Sequence, residues 1–257
     1  MVNRVLAGKK GKEDGDRFEK KYRAKYLVDK PENQHDIWGQ RITISKSDTT
    51  NNKSIKNPSK YNTSIQVQVC SVERFSKLLK PPQEVYSQLS QFVGNHPSLH
   101  HRNGFKNNPA VFKDVCKEWG VNTTSLSLKK ELMRSRLLCS SITNFSEVTD
   151  WFQDNLENIY KFVLSTGFNN PVNTETIAKQ MVWAREKNNI DSIVEYDIES
   201  IIKNIYKIKV KVRPSNSVIE FGPMTLQMKG SGKCAAYHNM QFNMSLKDLE
   251  TFLGVRK

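Results

Sequence analysis

The sequence predicts an α/β (α+β) protein, with a mixed central sheet flanked by helices. Three observations lead there. Near both ends, apolar and polar residues alternate strictly, at 41–45, 64–70 and 207–213, which is the period of a half-buried strand. Through the middle, apolar residues recur every three or four positions, the period of a helix. Beyond residue 218, short apolar runs return between glycines. Strands, then helices, then strands imply a mixed sheet covered by helices.

In chain order, Phe18, Tyr22 and Tyr26 at four-residue steps predict a helix over 13–28. Residues 41–45 and 64–70 read as the two strands of a hairpin, joined by a polar, turn-rich connection at 49–60. Val85, Leu89 and Phe92 share one face of a helix over 83–93. Gly94, Pro97, Gly104 and Pro109 punctuate a loop over 94–110. Helices are expected at 110–119, 127–139, 147–165 and 174–188. The third has Phe145 and Ser146 as staple and cap, with Val148, Phe152, Leu156, Ile159 and Val163 as its apolar stripe. A short helix over 197–206 precedes the basic strand. Strands at 218–221, 224–228 and 240–244 follow, and a helix over 246–253 closes the chain. Met224, Met228, Met240 and Met244 read as core under these last strands. The single chain thus divides into an N-terminal part, 1–93, a helical middle, 94–196, and a C-terminal part, 197–257.

The 257 residues suffice for one large domain, and 37% hydrophobic residues suffice for its core. No stretch approaches the roughly 20 apolar residues of a membrane helix, and the start lacks the apolar segment of a secretory signal. Cys70, Cys116, Cys139 and Cys234 show no CxxC spacing, which argues against a disulfide framework or a zinc ribbon and points to a reducing cytoplasm. His96, His100 and His101 with Cys116 are too loosely spaced for zinc and read as loop residues. The net charge is +14, which favours a polyanionic partner, nucleic acid first.

The charge is concentrated. Residues 203–257 hold ten basic and three acidic side chains, a net +7 and half of the total. Within them, Lys207, Lys209, Lys211 and Arg213 alternate with Ile208, Val210 and Val212, so four cations line one face of the predicted strand. Such a row is either a solvated face or a track for a phosphate backbone, and the mutual repulsion of four like charges favours the backbone. Asn216 and Ser217 lie in the loop after it, placed to contact bases or phosphates.

The C-terminal stretch 219–244 sets Gln227, Lys229, Ser231, Lys233, Asn239 and Gln241 among apolar residues, with Gly222, Gly230 and Gly232 between. Lysine donates to guanine, and Asn and Gln pair with adenine. Gly230-Ser231-Gly232-Lys233 is not a phosphate-binding loop: Gln227 stands where its first glycine belongs, and Cys234 replaces Ser or Thr. Glu220 with Gln227-x-Lys229 forms a rival acid–x–Lys pattern.

At the other end, Gln66 and Gln68 occupy one face of a strand, and a short hairpin would bring Asp48 beside them. One carboxylate with amide and main-chain oxygens is a hard-oxygen site suited to Mg2+. The bland alternative is a polar sheet face.

Two segments together carry a resemblance. Ile219-Glu-Phe-Gly-Pro-Met-Thr-Leu-Gln-Met-Lys-Gly, followed by Asn239-Met-Gln-Phe242, resembles the FGxxTxQRKGG…NxLQF recognition segment of small type II restriction endonucleases that cut GCGC. Ser47-Asp48 and Gln66-Val-Gln68, with 17 residues between Asp48 and Gln66, resemble the SD…(Q/N/E)xK catalytic motif of the same group. Phe18-Glu19 is similar to a further short stretch of a relative. The family is the monomeric GCGC- and CCGG-cutting branch of the PD-(D/E)XK nucleases. The resemblance implies a restriction-endonuclease-like fold in a cytoplasmic protein, monomeric on double-stranded DNA, with a cognate DNA methyltransferase as its genetic partner. It implies that Asp48 ligates Mg2+, that Gln66 replaces the second acid, that the Val67 carbonyl completes the metal shell, and that Ser47 and Gln68 complete the catalytic set. The C-terminal ribbon would read a short GC-rich palindrome in the major groove.

The sequence departs from that pattern at Gln68, where the family has lysine. Glutamine can position a water but brings no charge. Three explanations stand: a natural variant, a lysine supplied by Lys46 or Lys60, or a substitution that disables cleavage. In the last case the chain is a DNA-binding protein of nuclease fold. Met228 replaces the family's arginine and Asn243 its lysine, so the target sequence can differ from GCGC.

Overall fold

Apolar spacing and alternation lay out most of the elements of the computed structural model. It describes residues 13–18, 20–22, 24–25, 41–42, 53–58, 60–93, 114, 117, 145–166, 178–213, 218–229 and 239–255. The fold is α/β with mixed sheets. Two compact units divide the chain: one comprises Met1–Gln68, Glu157–Lys207 and Asn243–Lys257, the other Val69–Leu156 and Ile208–Phe242. The strands form two sheets rather than one.

The first sheet has the order β1-β2-β4-β5, with β1 at Arg41–Ile42, β2 at Lys53–Lys56, β4 at Gln180–Ala184 and β5 at Ile193–Asp197. The β2–β4 pair is parallel and the others are antiparallel. The first helix, α1, covers the described residues of 13–25. Its Phe18 and Tyr22, one turn apart, pack with Ile55, Val182 and Ala184 in the core of the first unit, as their spacing predicts.

Two expectations fail here. The partner of 41–42 is β2, inside the stretch read as a turn-rich connection, and not the strand at 64–70. Lys-Ser-Ile-Lys is too short and too polar to announce itself, and a single buried Ile55 anchors it. The predicted hairpin that would bring Asp48 to Gln66 and Gln68 is therefore not the one formed. In place of the helix expected at 174–188 stands strand β4, Gln180–Ala184, with bends and turns after it. Met181, Val182, Trp183 and Ala184 are all buried, and a short continuous apolar run has no periodicity to separate a central strand from a helix.

The second sheet has the order β3-β9-β8-β7-β6, with β3 at Ile65–Ser71, β6 at Lys211–Val212, β7 at Ile219–Phe221, β8 at Met224–Lys229 and β9 at Asn239–Met244. β7 and β8 join through Gly222-Pro223. Gly222 has φ +68°, the left-handed backbone that a two-residue hairpin loop needs at its first position.

β3 runs directly into α2, Val72–Leu79, whose N-terminus is capped by Ser71, the hydroxyl accepting from the Arg74 N–H at 3.2 Å. α3, Gln83–Phe92, buries Val85, Leu89 and Phe92 as predicted. The long helix expected over 147–165 is present in pieces: α4, Ser146–Asp154, α5, Leu156–Tyr160, and a π-helical run Lys161–Thr166. Its predicted stripe, Val148 to Val163, is buried throughout. Ser146 is helical rather than a cap. Phe145 takes the cap position with no side-chain bond and sets its ring edge-on against Phe92 at 6.2 Å. In the second unit, Phe75 meets Trp151, Phe152 and Phe242, and Phe152 meets Phe221, an aromatic core beneath the second sheet. α6, Ile198–Ile202, fills only the first part of the helix expected over 197–206, and a 3₁₀ turn, Ile205–Lys207, follows; α7, Leu246–Leu253, agrees with expectation, capped by Ser245 and ended by Gly254 at φ +70°. No helix among the described residues is long and apolar enough to cross a membrane.

Candidate functional site

Cross-strand register builds a polar surface on the second sheet. Lys211 pairs with Glu220 and Glu220 with Thr225, so the three side chains form one row on one face. Val212, Ile219 and Leu226 form the next row on the opposite face, where Ile219 and Leu226 are fully buried. Period two then assigns Arg213 and Gln227 to the polar face, and Phe221 and Met224 to the buried one. On β9, Phe242 meets Phe221 edge-on with ring centroids 6.2 Å apart, so Phe242 and Met240 lie on the buried side and Asn239 and Gln241 on the polar side. Thr225, Gln227, Asn239 and Gln241 are all half-exposed. The C-terminal residues singled out from sequence as base readers thus include a described group, Gln227, Asn239 and Gln241, on a single face. Lys229 ends β8. Asn216, Ser217, Ser231 and Lys233 lie outside the described residues.

The basic segment differs from the continuous strand expected at 207–213. Lys207 closes a 3₁₀ turn, and only Lys211–Val212 enters a ladder. The alternation holds all the same, with Ile208 and Val210 buried and Lys207, Lys209, Lys211 and Arg213 exposed. Gln153 on α4 explains how this works without a neighbouring strand. Its amide donates to the Ile208 carbonyl at 3.0 Å and accepts from the Val210 N–H at 3.0 Å, so one side chain takes the place of a strand.

The four cations are not equivalent. Arg213 Nε donates to Glu220 Oε1 at 2.5 Å, and Lys211 Nζ lies 3.2 Å from Glu220 Oε2. Glu220 therefore offsets part of the repulsion that the row would otherwise carry. Its carboxyl is held below the ordinary carboxylate range, first by the Arg213 hydrogen bond, against the effect of burial, and then by Lys211. Lys207 donates to Asn204 Oδ1 at 2.7 Å and sits 5.4 Å from the centre of the Tyr206 ring.

On β3, Val67 and Val69 face the core as expected. Gln66 is half-buried, but Gln68 is only 6% exposed and Cys70 is fully buried, so the polar face expected for both glutamines is covered from Gln68 onward. The Gln68 Nε2 has no hydrogen-bond partner among the described residues. Ser47, Asp48 and Lys46 lie outside the described residues, as do His96, His100, His101 and Cys116. Lys60 is exposed.

One polar cluster escaped the sequence reading. Glu250 on α7 is completely buried and accepts from Tyr61 Oη, from Tyr196 Oη at 2.7 Å and from Arg185 at 2.6 Å. Burial works against its charge, but the hydrogen bonds of Tyr61, Tyr196 and Arg185 outweigh it and hold the carboxyl below its usual range. Burial and then the neighbouring carboxylate push the Tyr196 hydroxyl up to about 12. A signal was available: in Leu-Lys-Asp-Leu-Glu, Glu250 stands one helical turn after Leu246, on the apolar stripe.

The chain matches no protein-family model and no curated protein.

Proposed function

We propose that the chain is a sequence-specific type II endonuclease that hydrolyses phosphodiester bonds in double-stranded DNA at a short, GC-rich palindrome. The observation that carries this reading is the two-sided second sheet. One face carries the buried Ile219, Phe221, Met224, Leu226, Met240 and Phe242, with Phe242 against Phe75 and Phe221 against Phe152. The other presents Thr225, Gln227, Asn239 and Gln241, side chains of the kinds that bond to base edges, beside Lys211 and Arg213. A +14 chain supplies the long-range attraction to a polyanion.

For Mg2+, the donors on β3 are the Gln66 amide oxygen, half-exposed, and the Val67 carbonyl; Asp48, the carboxylate of the motif, lies outside the described residues, and the hairpin expected to bring it to Gln66 is not the one formed. The set is all oxygen, which fits a hard cation, and its only negative charge is that of Asp48. Bound there, Mg2+ would polarise the phosphate and lower the pKa of a water. Gln68 would hold a water through its Nε2 donor, which is buried and has no partner among the described protein groups.

The same side chain supports the second reading, a DNA-binding protein of nuclease fold with little cleavage. A neutral amide cannot supply the charge that a lysine places beside the scissile phosphate. Incubation with plasmid and phage DNA, with and without Mg2+, beside Gln68→Lys separates the two. Discrete fragments from the unaltered chain establish the endonuclease. Fragments from Gln68→Lys alone establish the second reading. If neither cuts and neither protects a specific sequence from another nuclease, both readings fall.

A further inference from the structure

We propose that Glu220 is a specificity-determining residue whose carboxylate accepts from a base amino group, that of cytosine above all. The inference rests on the reading of the second sheet as a DNA-facing surface and deepens it.

Glu220 stands in the row Lys211–Glu220–Thr225, in the middle of the polar face, with its side chain 22% exposed. It is the only acidic residue among the described residues of this sheet. A carboxylate on a surface that meets a polyanion is repelled by phosphates, so it gains only by meeting a donor. In the major groove the donors are the amino groups of cytosine and adenine, and a carboxylate pairs with cytosine N4. Guanine O6 and N7 and thymine O4 are acceptors and are rejected.

The local geometry prepares Glu220 for this work. Arg213 engages Oε1 and Lys211 engages Oε2, so each carboxylate oxygen has one cation beside it. Each oxygen can accept two hydrogen bonds, so both keep capacity for a base. The two cations also offset the repulsion between Glu220 and flanking phosphates. Because Arg213 and Lys211 keep the carboxyl ionised at neutral pH, it remains an acceptor only. A purely structural role is poorly supported. Half-exposed cross-strand ion pairs add little stability, and β6 is already fastened by the Val212–Ile219 row and by the Arg213 N–H on the Val218 carbonyl at 2.9 Å.

The test is selection of bound duplexes from a randomised DNA pool, without divalent cation so that nothing is cut. The unaltered chain, Glu220→Ala and Glu220→Gln are compared, with thermal unfolding of each as a folding control. The unaltered chain should enrich a motif containing cytosine. Glu220→Ala should lose cytosine preference at one position of each half-site, by about ten-fold, with the other positions unchanged. Glu220→Gln, nearly isosteric, should shift that position towards adenine. If Glu220→Ala does not fold, the Glu220→Gln motif decides alone. Retention of the full motif by the folded variants, with only a uniform change in affinity, overturns the proposal and leaves the endonuclease reading standing. If the unaltered chain enriches no motif, the underlying reading fails, and the role of Glu220 falls with it.

Discussion

At the scale of single residues, the Glu250 carboxylate is buried beneath two tyrosines and an arginine. Its folded-state pKa is depressed, so the unfolded chain takes up this proton at a higher pH than the folded one. The stability it contributes is present above the ordinary carboxylate range and is lost as pH falls through that range and below it. Glu250→Gln should therefore flatten the acid limb of a plot of unfolding midpoint against pH, and at neutral pH should lower stability by about 1–3 kcal/mol. Tyr196 behaves in the opposite sense. Its pKa is raised to about 12, so its stabilisation is complete below about 10 and disappears as pH climbs through about 12. Tyr196→Phe should remove that alkaline loss in the same pH series. An unaltered alkaline limb in Tyr196→Phe would show that another group sets it.

At the scale of elements, Gln153 makes a prediction that no propensity scale contains. Its truncation to alanine leaves the Ile208 carbonyl and the Val210 N–H without their partner, a cost of about 1–3 kcal/mol for each group that water cannot reach. Urea unfolding of Gln153→Ala should register that loss, and amide exchange at Val210 should accelerate. The same element shows what the sequence makes legible. Alternation at 207–213 correctly assigns the buried and exposed side chains, because burial follows the extended backbone whether or not a strand lies alongside. It does not reveal that the pairing partner of 208–210 is a side chain 55 residues or more away. The stripes of α3 and α4 and the strands β7 to β9 are legible because one face of each is apolar and the other polar. β2 is not legible because its neighbours, rather than its composition, make it a strand. β4 is misread because it is apolar on both faces. Of the candidate site, the shared polar face of Gln227, Asn239 and Gln241 on β8 and β9 is recoverable from period two alone. The covered position of Gln68 is not, since a glutamine between two valines reads as surface.

At the scale of the whole molecule, the charge of +14 is the quantity that binding experiments sense first. If the protein neutralises several phosphates, the logarithm of its DNA affinity should fall linearly with the logarithm of salt concentration, by about 0.9 for each phosphate contacted. The internal pairing of the basic segment predicts how that slope divides among residues. Lys209 is exposed on an extended segment, and among the described residues Lys207 is held by a neutral asparagine and a ring. Each is expected to give its full charge to a phosphate, so Lys207→Ala and Lys209→Ala should each reduce the slope by about 1. Lys211 and Arg213 already share the charge of Glu220, so a bound DNA would gain less from them. Their single alanine variants should reduce the slope by clearly less. Titrations of the four variants on one duplex at a series of salt concentrations give the comparison directly. Equal reductions at all four positions would mean that the Glu220 bridges open when DNA binds. No reduction at Lys207 or Lys209 would place the DNA track elsewhere on the molecule.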